Sequence, residues 1–284
     1  MTTLDVRPSS IAGTWYEGDR VRLARAVDAY LDAARVPALG GEALAVIAPH
    51  AGHRYSGPVA AYAFAPLRGH VFDLVAVISP FHDLARQPLL TTAHAAYSTP
   101  LGDIPVDKSA LIELDVQLQS ELGFGLAPLA RDREHSLEIE LPFLQRALAS
   151  DFKLLPVMIR DQEPEVARGL GLALANVLKD KNALLVASTD LSHFYDQQTA
   201  NRLDAEMLKR FESFQPESIF EAESTGKGFA CGHAAVASVM WAARELGADK
   251  VQVLHHATSG DVTGDFSQVV GYGAAAILKS LPIP

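Results

Sequence analysis

Ala43-Leu44-Ala45-Val46-Ile47-Ala48-Pro49-His50 is a run of apolar residues that ends on an imidazole. A continuous apolar run of this length predicts a strand that is buried on both faces, as in parallel sheets. Related runs occur at three further places: Leu74–Phe81 leads to His82, Ala183–Ala187 leads to Ser188–His193, and the weaker run Gly228–Ala230 leads to Cys231. Open α/β sheets place their active sites just beyond the carboxyl ends of their strands. We therefore expect these polar side chains to converge at one edge of a sheet.

Helical patterns separate the apolar runs along the chain. The periodicity predicts helices at residues 20–35, 59–64, 108–122, 137–149, 164–178, 199–211 and 234–246. Further strands are expected at residues 73–79, 152–159, 183–188, 251–255 and 269–278, with extended segments or a hairpin over residues 87–106. This alternation predicts an α/β layered fold, with a central mixed, mostly parallel sheet flanked by helices. Because no linker or repeat divides the chain, we expect a single domain over residues 1–284.

The composition is ordinary for a soluble globular protein. Of the 284 residues, 49% are hydrophobic and 20% are charged, and the formal net charge is -10. An acidic chain without a basic stripe is a poor match for nucleic acid. The N-terminus has no signal-peptide pattern, and the apolar runs are far shorter than the roughly 20 residues that span a bilayer. We therefore predict a cytoplasmic protein that binds neither nucleic acid nor membrane.

Two histidines and the only cysteine are the candidate metal ligands. His50 and His82 follow neighbouring predicted strands, so a common ion would be within reach of both. Cys231 precedes a predicted helix, and a thiol at a helix N-terminus is expected to have a lowered pKa and to favour the thiolate. Soft thiolate with imidazole suits iron, copper or zinc better than magnesium or calcium. Each of these residues alone is also compatible with a structural role.

Asp190 and His193 form a candidate acid/base pair beyond a third strand. The spacing allows the carboxylate to orient the imidazole, as general acid/base catalysis requires. Asp and Ser are also ordinary helix-capping residues, so a structural role is open here too. Glu134 and His135 likewise read either as pocket residues or as the capped start of a helix. Among the other histidines, His53 is the one expected to line the pocket.

Several other classes of site have no sequence support. The chain has no Gly-x-x-x-x-Gly-Lys-Ser/Thr phosphate loop and no Gly-x-Gly-x-x-Gly after the first strand, which argues against nucleotide binding. It has no His-Glu-x-x-His, the common zinc-protease motif. A Cys-His-Asp protease remains compatible with the residue types, but it would leave His50 and His82 without a role.

The order of five motifs resembles the Memo family, which includes the AmmeMemoRadiSam system protein B of bacteria and archaea. The motifs are Ala12-Gly13-Thr14-Trp15-Tyr16, Pro49-His50-Ala51-Gly52 with Tyr55-Ser56-Gly57, Glu134-His135-Ser136-Leu137-Glu138 with Leu141-Pro142-Phe143-Leu144, Ser188-Thr189-Asp190-Leu191-Ser192-His193, and Cys231-Gly232. They extend over nearly the whole chain. Their joint order is much more specific than any one of them.

The resemblance implies a fold similar to the class III extradiol dioxygenases, which cleave aromatic rings with non-haem Fe(II). It also implies an iron or copper ion on His50, His82 and Cys231, with Asp190 and His193 as pocket residues. By association it implies AMMECR1-like and radical SAM proteins as partners. The dioxygenases have a carboxylate as third ligand, so a thiolate at this position argues against ring cleavage.

This chain departs from the family pattern at two pocket positions. His82 is followed by Asp83 where paired histidines are common, and His53 occupies a position that is usually aromatic. Neither change affects the expected ligands. The expected pocket residues are His53, Tyr55, Asp83, Glu134 and His135.

Three functions follow as hypotheses. The leading one is a metal-dependent, dioxygenase-like redox enzyme with iron(II) or copper that acts on an unknown small molecule, with His193 as acid/base residue. The second is a zinc-dependent hydrolase, because two histidines, one cysteine and a water resemble catalytic zinc sites. The third is a non-catalytic module that binds a peptide or a partner protein in the same cleft.

Overall fold

The computed structural model describes residues 5–281. Its helices are α1 (Arg20–Ala33), α2 (His53–Phe64), α3 (Lys108–Leu122), α4 (Leu141–Ala147), α5 (Pro164–Leu178), α6 (Gln197–Glu212), α7 (Pro216–Ser224), α8 (His233–Glu245) and α9 (Gly260–Thr263). Its strands are β1 (Val6–Arg7), β2 (Glu42–Ala48), β3 (Leu74–Pro80), β4 (Leu89–Thr92), β5 (Ala96–Thr99), β6 (Gly102–Pro105), β7 (Ala127–Leu129), β8 (Lys153–Ile159), β9 (Ala183–Ser188), β10 (His193–Tyr195), β11 (Lys250–Thr258) and β12 (Val269–Lys279).

A mixed sheet forms the centre of the domain. Its strand order is β10-β12-β2-β9-β3-β8-β4-β7, with β11 on β12. Strands β2, β9, β3 and β8 are parallel to one another, as the continuous apolar runs predict. Ala48 pairs with Ser188 and Ile78 pairs with Ala187, so the carboxyl ends of β2, β9 and β3 lie side by side. This register confirms the expected meeting point of the strand-end residues.

Helices flank the sheet as predicted. α5 packs on both α3 and α8, and α8 contacts β2, β3 and β9. α1, α2 and α4 form another packed set, of which α2 contacts β2 and β12. All seven residues of β3 are buried. None of the helices in the described part combines the length and the hydropathy that crossing a bilayer requires.

A small second sheet lies on the flank where extended segments are predicted. It has the order β1-β5-β6, and β5 and β6 form a hairpin within residues 96–105. β1 pairs in parallel with β5 and brings the N-terminal segment onto the body of the domain. From there the segment continues toward the carboxyl ends of the main sheet, where Trp15 lies.

Three local predictions are wrong. α2 begins at His53 rather than at residue 59 and contains Pro58. Gly57 lies within this helix and allows close packing of α1 on α2, since a Cβ there would lie 2.9 Å from Cε2 of Tyr30. The weak run Gly228–Ala230 is a loop rather than a strand, because it follows the unpredicted helix α7 and has no strand partner in the described residues. The predicted helix at 137–149 divides into a 3₁₀ turn, Glu138–Glu140, and α4.

Candidate metal centre

Three imidazoles converge at the carboxyl ends of β2 and β3. His50 follows β2, His82 follows β3, and His135 lies just before the 3₁₀ turn. Their ring centroids are 5.3 Å apart for His50 and His82, 5.5 Å for His50 and His135, and 4.8 Å for His82 and His135. One ring nitrogen from each residue lies within 4.8 Å of the other two. These three histidines can therefore hold a metal ion.

Glu134 orients His82 through both the backbone and the side chain. Its Oε2 accepts a hydrogen bond from the His82 amide at 2.6 Å, and its Oε1 lies 3.0 Å from Nδ1 of the His82 ring. With Nδ1–H donating to the carboxylate, the lone pair of Nε2 is available to a metal. Burial alone would raise the pKa of Glu134, but the hydrogen bonds from His82 and from the Ser136 amide lower it overall. Glu134 is therefore ionised and carries negative charge beside the imidazoles.

His50 is oriented by a buried hydroxyl. Its Nδ1 lies 2.9 Å from Oγ of Ser188, and this Oγ is 2.7 Å from both the Ser136 carbonyl and Oε1 of Glu140. Burial raises the pKa of Glu140 well above its ordinary value, and in its protonated form this carboxyl group can donate to Ser188. Ser188 then donates to the carbonyl and accepts from His50 Nδ1–H. The lone pair of His50 is left on Nε2.

Cys231 approaches the site from the loop before α8. Its Sγ lies 3.1 Å from Nε2 of His50, and the Asp190 amide donates to it at 3.2 Å. Gly232 makes this approach possible, since a Cβ there would lie 2.3 Å from the Ser188 carbonyl. Burial raises the pKa of the Cys231 thiol and the Asp190 carboxylate raises it further, contrary to the lowered pKa predicted from the helix N-terminus. Without a cation, the residue is a thiol.

Asp190 and His193 have different hydrogen-bond partners rather than each other. Oδ1 of Asp190 accepts from the amides of His50 at 2.8 Å and of Ala51 at 3.3 Å. Burial raises the pKa of Asp190 to about 7, against the effect of these amide hydrogen bonds. Nδ1 of His193 lies 2.8 Å from the Leu191 carbonyl. Asp190 therefore holds the loop after β2 in place, and Nε2 of His193 is available to accept or donate a proton. The catalytic roles of both residues stay predictions.

The remaining predicted pocket residues lie at different depths. His53 is buried, with Nε2 3.0 Å from the Ile139 carbonyl and its ring against Tyr16 and Phe143. It lies in the wall behind the three imidazoles, and its role as a pocket residue stays a prediction. Tyr55 is 38% exposed on the first turn of α2. Asp83 is exposed, and its Oδ1 accepts from the Leu84 amide.

Two features near the centre are absent from the sequence predictions. Trp15 packs on His135 with ring centroids 4.2 Å apart, although the sequence shows it only as part of a motif. On the Cys231 side, a cavity of about 370 Å³ is lined by Gln162, Leu191, His193, Tyr195, Glu223, Phe229, Ala230, Cys231 and His233. Its volume lies within the range of small-molecule sites. No pattern in a single sequence reveals which loops enclose such a cavity.

Comparison with known proteins agrees with the resemblance in the motifs. The sequence model of the family described as "Memo-like protein" matches residues 7–276. A "MEMO1 family protein" of Nitrosopumilus maritimus is 34% identical over 95% of this chain and 98% of its own length. Relatives with the same family description occur in Thermotoga neapolitana, with 37% identity over 82% of both chains, and in Pyrobaculum aerophilum, with 33% identity over 95% of this chain and 98% of the relative.

Proposed function

The chain belongs to the Memo-like family, and on that premise we propose that it is a metal-dependent redox protein with one iron(II) or copper ion. The proposed donors are nitrogen atoms of His50, His82 and His135, together with Sγ of Cys231. The proposed substrate is a small molecule bound in the cavity beside Cys231. The cytoplasmic location and the AMMECR1-like and radical SAM partners stay predictions.

The observation that carries this proposal is the convergence of the three imidazoles beside a thiol. Nδ1 of His50 and Nδ1 of His82 are both occupied by oxygen partners, so both rings are in the orientation that metal-binding histidines adopt. Imidazole and thiolate ligands together bind iron, copper and zinc well. They are poor ligands for the hard cations magnesium and calcium. The residues therefore fit a transition metal.

A bound ion would supply a redox centre whose potential is tuned by the electron-donating nitrogen and sulfur ligands. The other residues have distinct tasks. Glu134 and Ser188 fix the orientation of His82 and His50, and Asp190 anchors the backbone between β2 and α2 through the two amides. His193 lines the cavity with Nδ1 engaged, so it can accept or donate a proton at Nε2. Metal binding would release the Cys231 proton, because the sulfur ligand is the thiolate.

Zinc-dependent hydrolysis is the second candidate. Three histidines around one point also form the ligand set of a type of catalytic zinc site, in which a water completes the coordination. This ligand set replaces the two histidines and one cysteine expected from the sequence, and Cys231 would then lie beside the zinc without binding it. The two candidates therefore differ in whether the sulfur is a ligand and in whether the ion changes its oxidation state.

Metal analysis and oxygen uptake test the proposal together. Protein purified without chelators is expected to contain iron or copper near one ion per chain, and the reduced protein is expected to consume oxygen. His50→Ala should remove both properties. His70→Ala is the matched control, because His70 is an exposed histidine outside the site. Stoichiometric zinc without oxygen uptake would overturn the redox proposal in favour of the hydrolase.

A further inference from the structure

We propose that Arg7 is a positioning residue of the metal centre, which it reaches through Asp132 and Glu134. Arg7 contacts none of the proposed ligands. It holds the segment that carries Glu134 and His135, and through this segment it sets the affinity and the coordination geometry of the ion. The inference rests on the proposed metal centre and adds a determinant that lies more than one hundred residues away in the sequence.

Arg7 is almost fully buried, and its three side-chain nitrogen atoms donate to residues between Asp132 and Glu138. Nη2 lies 2.6 Å from Oδ1 of Asp132 and donates to the Glu134 carbonyl at 2.8 Å. Nε donates to the same Asp132 carboxylate, and Nη1 donates to Oε2 of Glu138 at 2.7 Å. The residue is 2% exposed. A guanidinium with this planar fork is suited to hold several oxygen atoms at once, which lysine cannot do.

The segment that Arg7 holds has little regular structure of its own. Residues 130–135 form no helix or strand, and they connect β7 to the turn before the 3₁₀ helix. Asp132 accepts from the Glu134 amide at 3.2 Å, and Glu134 accepts from the His135 amide at 2.9 Å. A chain of hydrogen bonds thus runs from Arg7 to the backbone of His135. The position of this ligand depends on that chain.

The N-terminal segment is also hydrogen-bonded to Glu138, which together with Arg7 and Asp132 forms a buried cluster, the Arg7 cluster. Glu138 accepts from the hydroxyls of Ser9 and Tyr16, the latter at 2.7 Å, and from the Ser10 amide at 3.0 Å. Trp15, next to Tyr16, packs on the ring of His135. The Arg7 cluster therefore holds His135 in two ways. It is linked to the His135 backbone through residues 132–134, and it positions Trp15, whose ring packs on the His135 ring.

The charges at the cluster also favour a cation nearby. Arg7 carries one positive charge, whereas Asp132 and Glu138 carry two carboxylates, and Glu134 adds a third. Burial alone would raise the pKa of Glu138, but hydrogen bonds from Ser10, Ser9 and Arg7 lower it, so the carboxylate is ionised. The net negative charge lies on the His135 side of the site. Removal of the guanidinium would both release the segment and leave the carboxylates unpaired.

The test compares metal binding by wild type, Arg7→Lys and Asp132→Asn, with Co²⁺ and Zn²⁺ as probes. Substitution of groups that orient metal ligands typically weakens metal binding roughly 10- to 100-fold. We expect a loss of this size for both variants, together with an altered visible absorption spectrum of bound Co²⁺. The spectrum reports coordination geometry, which a purely structural role in stability would leave unchanged. Arg7→Lys keeps the charge, so a folded variant is expected; Asp132→Asn keeps the shape.

Leu174→Ala is the matched control for lost stability. Leu174 is fully buried on α5, which packs on α3 and α8. This variant is expected to be less stable and to bind Co²⁺ with the wild-type affinity and spectrum. Wild-type affinity and spectrum in folded Arg7→Lys and Asp132→Asn would overturn the inference alone. If wild type bound neither ion, the proposed metal centre would fail, and the inference with it.

Discussion

Sγ of Cys231 lies 3.1 Å from Nε2 of His50, although the two residues are 181 positions apart in the sequence. The ring nitrogen that faces the sulfur is the one left free when Nδ1 bonds to Ser188. A protonated thiol donates to such a nitrogen, and a cation between the two atoms would replace that proton. This relationship links the only cysteine of the chain to the three histidines and leads to the first prediction.

Cys231→Ser is expected to weaken metal binding at least about 100-fold, because loss of groups that merely orient a ligand already costs 10- to 100-fold. The sulfur-to-metal charge-transfer absorption of the Cu²⁺ protein should disappear. Absorption spectra and competition titrations of Cu²⁺ and Zn²⁺ measure both effects. His70→Ala should retain the absorption and the affinity. An unchanged spectrum in Cys231→Ser would show that the sulfur is not a ligand, as the zinc hydrolase candidate requires.

Glu134→Gln is expected to weaken metal binding roughly 10- to 100-fold, with the fold retained. An amide can still accept from the His82 backbone, but it no longer offers a charged acceptor to Nδ1 of the ring. Isothermal titration with Zn²⁺ measures the change. Glu113→Gln is the control, because Glu113 forms an exposed ion pair with Lys181. Equal affinities in Glu134→Gln and wild type would contradict the assigned role of the carboxylate.

Trp15 is expected to report metal binding through its fluorescence. Its ring centroid is 4.2 Å from that of His135. The other tryptophan, Trp241 of α8, is buried and stacks on Phe220 of α7. A paramagnetic ion such as Cu²⁺ at the histidines should quench Trp15 emission. Trp241→Phe should keep the quenching and Trp15→Phe should lose most of it. Quenching that survives in Trp15→Phe would place the ion elsewhere.

His53 is expected to make the metal-free protein less stable in acid. Burial lowers the pKa of His53 to about 4, although its hydrogen bond to the Ile139 carbonyl opposes the shift. The unfolded chain binds a proton near pH 6.5, so the free energy of unfolding falls as the pH drops from about 6.5 to 4, by about 3 kcal/mol. His53→Gln keeps a donor to that carbonyl without titrating in this range. In urea unfolding at pH 7 and pH 4, the free energy of unfolding should fall less in His53→Gln than in wild type.

If His53 is accessible to water, the free energies of unfolding of wild type and His53→Gln should differ by a similar amount at pH 7 and at pH 4. That result would contradict its placement in the wall and would return it to the pocket, where the sequence analysis expects it.

The arrangement of the sheet was predictable because buried parallel strands have a local signature. The continuous apolar runs before His50 and His82 match β2 and β3 closely, and the parallel order then brings the two imidazoles together. The predicted bounds of α3 and α5 agree with the structure residue for residue, and Asp107 and Pro164 lie at the starts of these helices. The helix α7 is absent from the sequence predictions, although Pro216 at its start and Glu217 in its first turn are the same kind of helix-start signal as Pro164 and Glu165 in α5.

The details of the site were not predictable from local patterns. His135 lies in a segment that reads as a capped helix start, and its position depends on Arg7, which is distant in sequence. The orientation of His50 depends on Ser188 and Glu140, which meet only in the folded chain. The raised pKa of the Cys231 thiol follows from burial and from Asp190, and neither is visible in the residues next to the cysteine.

Anomalous diffraction at the iron, copper and zinc edges, from crystals of protein purified without chelators and then supplied with the metal it contained, tests the metal centre most directly. The account predicts one strong peak, at the iron or the copper edge, about 2.0–2.3 Å from ring nitrogens of His50, His82 and His135 and from Sγ of Cys231. A peak at another position, or no peak near these side chains, would contradict it.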